Sequence, residues 1–390
     1  MAMKIMILVP AFGRSSPVQG ALLLAKYLHH SGQNVLFVSL DNRFPQHSLS
    51  KDIAETGISF DCINARGWFG LINVLPRLQR YIDVKAVDVV LAYEMRPTLI
   101  TSFLRNVIKM ASVRGMLREV YPLYYPYGRF LLSIFTSVQM MALRKMDHVF
   151  SMTQAMTEWL VCEGVNPKKI SCINNFVDVA NISATNRKNK KKHQDITKIG
   201  VFCNFVPAKR LDIALKAFGK IVLEYKNNTT HLHLVGDGPL RREIERLAYD
   251  LGIVPFCFFH GFLEDPLPLM SQMDLILLTS ASEGVPRCLM EALSLGKTVI
   301  ASNIPGINDL IIHGQTGFLF EAGDVDGLAN LIHSVIIDKS YFPPNELVDF
   351  MLNNFDVNSC GQIMFQQILK VFENKRQAQQ SPQVTLSTNE

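Results

Sequence analysis

Asp274-Leu275-Ile276-Leu277-Leu278 and, after Thr279, Ser280-Ala281-Ser282-Glu283-Gly284-Val285-Pro286-Arg287-Cys288-Leu289-Met290-Glu291-Ala292-Leu293 decide how this chain is read. The first run is a strand buried on both faces, as in a parallel sheet. Pro286 suits the first turn of a helix, where its missing N–H costs nothing. Glu283 then sits at or before the helix start, and Glu291 lies two turns on, about 12 Å away at about 1.5 Å per residue. Carboxylates so spaced grip distant parts of one elongated ligand; they are not an acid/base pair.

Strand-like and helix-like runs alternate on both sides of this stretch, the pattern of a parallel sheet with helical crossovers. Strands are predicted over 4–9, 34–40, 58–63, 87–93, 112–116, 148–152 and 169–173, then over 199–203, 232–235, 256–260, 274–278 and 298–302. Helical patterns separate most of them. The fold class is α/β, with two doubly wound, Rossmann-like domains facing each other across a cleft beyond the strand ends. The expected boundaries are an N-terminal domain over 1–178, a basic linker over 179–197 and a C-terminal domain over 198–357. A helix over 358–374 rejoins the first domain, and 377–390, rich in Gln, Ser and Thr, is expected to be disordered.

The 390 residues are 48% hydrophobic, ample for two or three cores. Seven cysteines form no CxxC pair and are odd in number, which argues against a disulfide framework or zinc site and for a reducing, cytoplasmic home. The opening apolar run stops at Pro10 without a small-residue cleavage site and reads as a strand. A net charge of +5 hides a gradient: residues 1–180 carry 19 Lys and Arg against 12 Asp and Glu, whereas residues 194–390 carry 15 against 22. The run Arg187-Lys188-Asn189-Lys190-Lys191-Lys192-His193 between them reads as a solvated linker or, alternatively, as a contact with anionic lipid or another polyanion. Tyr121-Pro122-Leu123-Tyr124-Tyr125-Pro126-Tyr127 precedes an apolar run over 130–143, too short for a bilayer, which needs about 20 residues. A buried core helix and a helix lying on an anionic membrane surface are its two readings. No acidic cluster suits a hydrated metal, so no metal or cofactor is expected, and nucleic acid is not an expected partner.

The series Glu283-Gly284-Val285-Pro286, Glu291-Ala292, Gly296-Lys297-Thr298-Val299-Ile300-Ala301-Ser302 and Gly314-Gln315-Thr316-Gly317-Phe318-Leu319 is far more specific than any one piece. Through it the chain resembles, over about residues 4–335, glycosyltransferase family 4, the retaining nucleotide-sugar transferases of GT-B architecture. The resemblance implies that Glu283 contacts the donor sugar, with Gly284, Val285 and Pro286 beside it, and that Glu291 holds the nucleotide ribose. In Phe202-Cys203-Asn204-Phe205-Val206-Pro207-Ala208-Lys209-Arg210, it makes Lys209 the diphosphate lysine. Where the family has Gly-Arg this chain has Cys203-Asn204, and Arg210 is the candidate to replace the cation missing at Asn204. Gly236-Asp237-Gly238-Pro239 and Gly261-Phe262-Leu263 match a turn and the loop beside the base. Asn175-Phe176-Val177-Asp178 is expected to be a hinge.

The N-terminal half matches less closely. Its first loop, Phe12-Gly13-Arg14-Ser15-Ser16, has one glycine where the family has two, and Gly13 and Arg14 are expected to approach the ligand. The family's histidine after the strand matched to 112–116 is missing; Arg118 and Glu119 stand there, on the expected acceptor side. The implied activity is metal-independent retaining transfer from a UDP- or GDP-sugar to a glycan or lipid-linked acceptor in cell-envelope polysaccharide synthesis, at the inner face of the membrane. The alternatives are another GT-B sugar-nucleotide enzyme, an epimerase or phosphorylase, or a nucleotide-sugar-binding protein without catalysis.

Overall fold

The computed structural model describes residues 3–41, 49–64, 70–115, 129–188 and 196–380. Two parallel sheets form its frame. The first has the order β3-β2-β1-β4-β5-β6-β7, with β1 Lys4–Ala11, β2 Asn34–Asp41, β3 Ser59–Cys62, β4 Val89–Tyr93, β5 Ile108–Ser112, β6 His148–Ser151 and β7 Ile170–Cys172. The second has the order β10-β9-β8-β11-β12-β13, with β8 Thr197–Phe202, β9 Thr230–Val235, β10 Cys257–Gly261, β11 Leu275–Leu278, β12 Thr298–Ser302 and β13 Phe318–Phe320. Strand order reverses between β1 and β4 and between β8 and β11, and a crevice opens at the carboxyl ends of the strands at such points. Helices cover both faces of these central strands, so Ile5 to Leu8 and Leu275 to Leu278 are all buried.

Several elements depart from expectation. The strand predicted over 112–116 forms four residues earlier, as β5. Lys109 disguised it by interrupting the apolar run. It lies near the amino end of the strand, half-buried, and its N–H binds Asp147 Oδ2 at 2.9 Å. Arg114 thus becomes the first cation past the strand, while Arg118, Glu119 and Tyr121 to Tyr127 fall outside the described residues.

The expected linker begins as a helix, Val179–Lys188. Val179 and Ile182 anchor it in a core with Leu347, Met351 and Phe355, two contacts too few to register as periodicity. Residues 189–195 are not described. A helix not predicted, Pro344–Asn354, precedes the last one, Val357–Gln380, which runs through 377–380 where disorder was expected. Val357, Cys360, Met364 and Ile368 of that last helix complete the core of the first half beside Leu24 and Leu28.

The chain therefore crosses between halves twice, side by side. Val177 N–H donates to the Phe355 carbonyl at 3.0 Å, Val357 N–H to the Val177 carbonyl at 2.9 Å, and Val179 N–H to Asp356 Oδ1 at 3.1 Å. The Arg129–Arg144 helix belongs partly to the core: Met140, Ala142 and Leu143 are buried, whereas Ile134 and Met141 are 44% and 43% exposed. Among the described residues no helix is long and apolar enough to cross a membrane.

His148 opens β6 with Nε2 3.0 Å from Ser171 Oγ in β7 and its ring edge-on to Phe150. Burial first, and then the Lys370 charge on the last helix, lower its pKa from 6.5 to about 4. Because the unfolded chain binds more protons between those values, stability falls as the pH drops through that window. His148→Gln is expected to flatten the loss of Tm between pH 6.5 and pH 4; an unchanged slope would assign the acid sensitivity to other groups.

Candidate active site

Loops at the carboxyl ends of β8, β9 and β11 converge with the first half's loops on a cleft cavity of about 480 Å³. Past β8 the chain runs through Asn204 into a single 3-10 turn, Pro207–Lys209, and then into the Leu211–Leu223 helix. Arg210, between the two, is left-handed with φ of 45°. That kink separates two adjacent cations. Lys209 lines the cleft, whereas Arg210 Nε and Nη2 bind Asp212 at 2.9 and 3.0 Å with the arginine side chain 42% exposed. Arg210 does not replace the cation missing at Asn204, which lines the cavity uncharged.

Lys209 Nζ donates to Glu283 Oε1, with the two side chains 20% and 11% exposed. Ser280 Oγ donates to the same oxygen at 2.6 Å. Burial by itself lowers the Lys209 ammonium, but the Glu283 carboxylate outweighs it and holds the group above its ordinary value. Thr279 Oγ1 donates to the Lys209 and Arg210 carbonyls at 3.0 and 2.9 Å and ties the β8 loop to the β11 loop. Burial raises the Cys203 thiol to about 12 and pushes up Cys288 as well, so both stay neutral beside the ion pair.

The helix after Glu283 spans Arg287–Ser294, with Pro286 as its N-cap. Only half of the interval to Glu291 is helical, so helical rise alone does not set the separation of the two carboxylates. Glu291 Oε1 accepts from Arg287 Nε at 2.7 Å, one turn back, at 13% and 20% exposure. The i, i+4 spacing in the sequence was the available signal for this pair.

Two glycines fix the loop between the carboxylates. A Cβ on Gly306, whose φ is 83°, would lie 1.8 Å from the Gly284 carbonyl oxygen. One on Gly284 would lie 2.9 Å from Met152 Cε and 3.0 Å from the Arg114 carbonyl oxygen, so this loop touches the first half directly.

Of the residues singled out from sequence, Glu283, Gly284, Val285, Pro286, Glu291, Lys209, Asn204, Gly236, Phe262, Leu263 and Arg14 line the cavity. Gly13 and Gly261 do not; the Gly261 carbonyl instead accepts from Gly236 N–H at 2.8 Å and braces the wall. Arg118 and Glu119 lie outside the described residues. Arg114, Asn175 and Arg287 line the cavity without having been foreseen there. Asn175, expected as a hinge, reaches across the cleft: Nδ2 donates to the Val285 carbonyl at 3.2 Å, and Oδ1 accepts from Arg114 Nη1 at 2.7 Å. Among the described residues no three His, Cys, Asp or Glu side chains gather to hold a metal ion.

Residues 18–181 match a family model described as Glycosyltransferase Family 4, and residues 183–348 match one described as Glycosyl transferases group 1. N-acetyl-alpha-D-glucosaminyl L-malate synthase of Bacillus anthracis is 34% identical over 45% of this chain and 47% of that protein. UDP-Gal:alpha-D-GlcNAc-diphosphoundecaprenol alpha-1,3-galactosyltransferase of Escherichia coli is 29% identical over 45% of this chain and 47% of that protein. The chain thus spans about half the length of the curated relatives it matches. Among solved structures, Anabaena HepE in complex with UDP-glucose superposes with a TM-score of 0.75 at 19% identity, covering 94% of this chain and 100% of that one. Sucrose-phosphate synthase of Thermosynechococcus elongatus superposes with a TM-score of 0.78 at 17% identity, covering 95% and 100%. These two likenesses establish the fold.

Gly306→Ala is expected to cost more than about 1 kcal/mol, read as a lower urea midpoint at unchanged slope. Gly314, at φ 76°, is the control, because nothing lies within 4 Å of a Cβ there. Equal losses in the two variants would attribute the effect to backbone strain alone and not to the collision with Gly284.

Proposed function

The chain belongs to glycosyltransferase family 4, and from that premise we propose that it transfers a sugar from a nucleoside diphosphate donor, with retention, to a glycan or lipid-linked acceptor of the cell envelope. The observation that carries this reading is that two ion pairs, Lys209–Glu283 and Arg287–Glu291, line one cleft. Two such pairs suit a ligand with a diphosphate and two hydroxyl-bearing sugars. The entering diphosphate competes for Lys209 and frees Glu283 to accept hydrogen bonds from the sugar hydroxyls, while Glu291 takes the ribose. A UDP-linked donor is the first to test, since the solved HepE complex holds UDP-glucose and the Escherichia coli relative is named for UDP-Gal.

In the proposed step the bond from the sugar's anomeric carbon to the diphosphate breaks, leaving an oxocarbenium-like sugar. An acceptor hydroxyl attacks from the same face, and its proton passes to the departing phosphate. Lys209 and the N-terminus of the Arg287–Ser294 helix meet the developing negative charge in a partly water-excluded site, where fixed donors act most strongly. Glu283→Gln keeps a hydrogen-bond acceptor for Lys209 but removes its counter-charge, so it is the milder change yet still expected to lower Tm. Acceptor-dependent nucleotide release by the folded variant is expected to fall by about 10²–10³-fold; parental turnover would overturn the assignment.

We further propose that the acceptor is reached at an anionic membrane surface. The support is a mixed apolar and basic face: Ile134 and Met141 lie two turns apart on one side of their helix, and Lys145 Nζ sits 4.8 Å from the ring of Phe103, itself 47% exposed. The excess of cations in residues 1–180 has the sign that anionic lipid attracts. Cosedimentation with anionic vesicles at low salt is expected, weakening as ionic strength rises. No binding at low salt would remove this part of the reading.

A further inference from the structure

Arg114 lies two residues past β5, in the wall that the first half turns toward the Glu283 loop. Its guanidinium sits 4.9 Å from the Tyr93 ring centre and 5.9 Å from that of Phe176. Nη1 donates to Asn175 Oδ1 at 2.7 Å and meets Met152 Sδ at 3.4 Å, and Nη2 donates to the Tyr93 hydroxyl at 3.3 Å. All these partners are neutral; burial raises the Tyr93 phenol and keeps it protonated. The Nε–H is shut off from solvent and has no hydrogen-bond partner among the described residues.

Among those residues no carboxylate pairs with this guanidinium. Glu283 is taken by Lys209, Glu291 by Arg287, and Asp52 by Arg14. A partly desolvated cation without a counter-ion is unfavourable, and neutral hydrogen bonds offset only part of that. Arg114 is nevertheless joined to the donor side twice. Its carbonyl oxygen leaves no space for a side chain at Gly284, and Asn175 carries its hydrogen bond on to the Val285 carbonyl.

We propose that Arg114 is a donor-sensing positioning residue: the anionic donor brings a counter-charge that none of the described residues gives this guanidinium, and through Asn175 the guanidinium holds the loop that carries Glu283. The inference rests on the nucleotide-sugar reading and adds that the first half takes part in recognising the donor.

The test is thermal shift and steady-state kinetics with UDP-sugars on Arg114→Met and Arg114→Lys. In Arg114→Met the Tm without donor is expected at or above the parental value, because an apolar chain replaces a partly buried cation that no carboxylate pairs with among the described residues. Donor KM is expected to rise at least about tenfold and the donor-induced rise in Tm to shrink. Arg114→Lys keeps the charge but loses the fork to Asn175 and Tyr93, so KM recovers in part while kcat stays low. Parental KM and kcat in Arg114→Met would overturn the proposal, as would a lower Tm without donor at unchanged donor KM, the mark of a purely structural strut. Should Arg114→Met fail to fold, Arg114→Lys decides: lower kcat at parental Tm supports the proposal, and parental kcat ends it. A parental Tm that no nucleotide sugar raises would overturn the donor reading and this inference with it.

Discussion

The Lys209–Glu283 ion pair is the constraint around which the second half is arranged. Each charge alone would be expensive to withdraw from water, so the two loops that carry them have to meet. They meet because β8 and β11 are adjacent, with Ile199 opposite Leu275 and Gly200 opposite Ile276. The residue at 200 is glycine for the same reason, since a Cβ there would run into Phe202 and Met273 at 2.6 and 2.7 Å. The Arg210–Asp212 pair next door has better hydrogen-bond geometry but lies largely in solvent, where such pairs contribute little. Position in the cleft, more than contact distance, distinguishes the two.

How much of this was legible in the sequence depends on how local the cause was. β11 and β12 could be read because both their faces are buried and every position is apolar or small. β5 is disguised because Lys109 breaks its apolar run, and a strand read four residues late puts Arg118 and Glu119 just past its end instead of Arg114. The motif residues Glu283, Gly284 and Glu291 were legible as a series, and Lys209 from its place beyond a strand. Which of Lys209 and Arg210 faces the cleft was not, because a single left-handed residue decides it. Asn175 was beyond reach in another way: its partner Val285 is 110 residues away.

The two halves are held together by short-range contacts of different kinds. Backbone hydrogen bonds join Val177 to Phe355 and Val357 at the crossing, a side-chain amide joins Asn175 to Val285, and the absent side chain of Gly284 lets the Arg114 main chain approach. The first set is indifferent to what occupies the cleft, since it satisfies main-chain groups that would otherwise be buried unpaired. The other two sit in the cleft wall itself.

The double crossing also bears on the order in which the molecule can be assembled. Val357, Cys360, Met364 and Ile368 fill a core whose other members include residues of β1, β2, β4, β5, β6 and the Ser16–His30 helix. The ribosome reaches those four residues only after the whole second half has emerged. The first half must therefore wait with an open seam along its first helix, while the second half, whose sheet is drawn from 197–320 alone, can close as it is made. Its architecture is that of two domains in space, but its connectivity is nested, the second half enclosed in sequence between two segments that build the first.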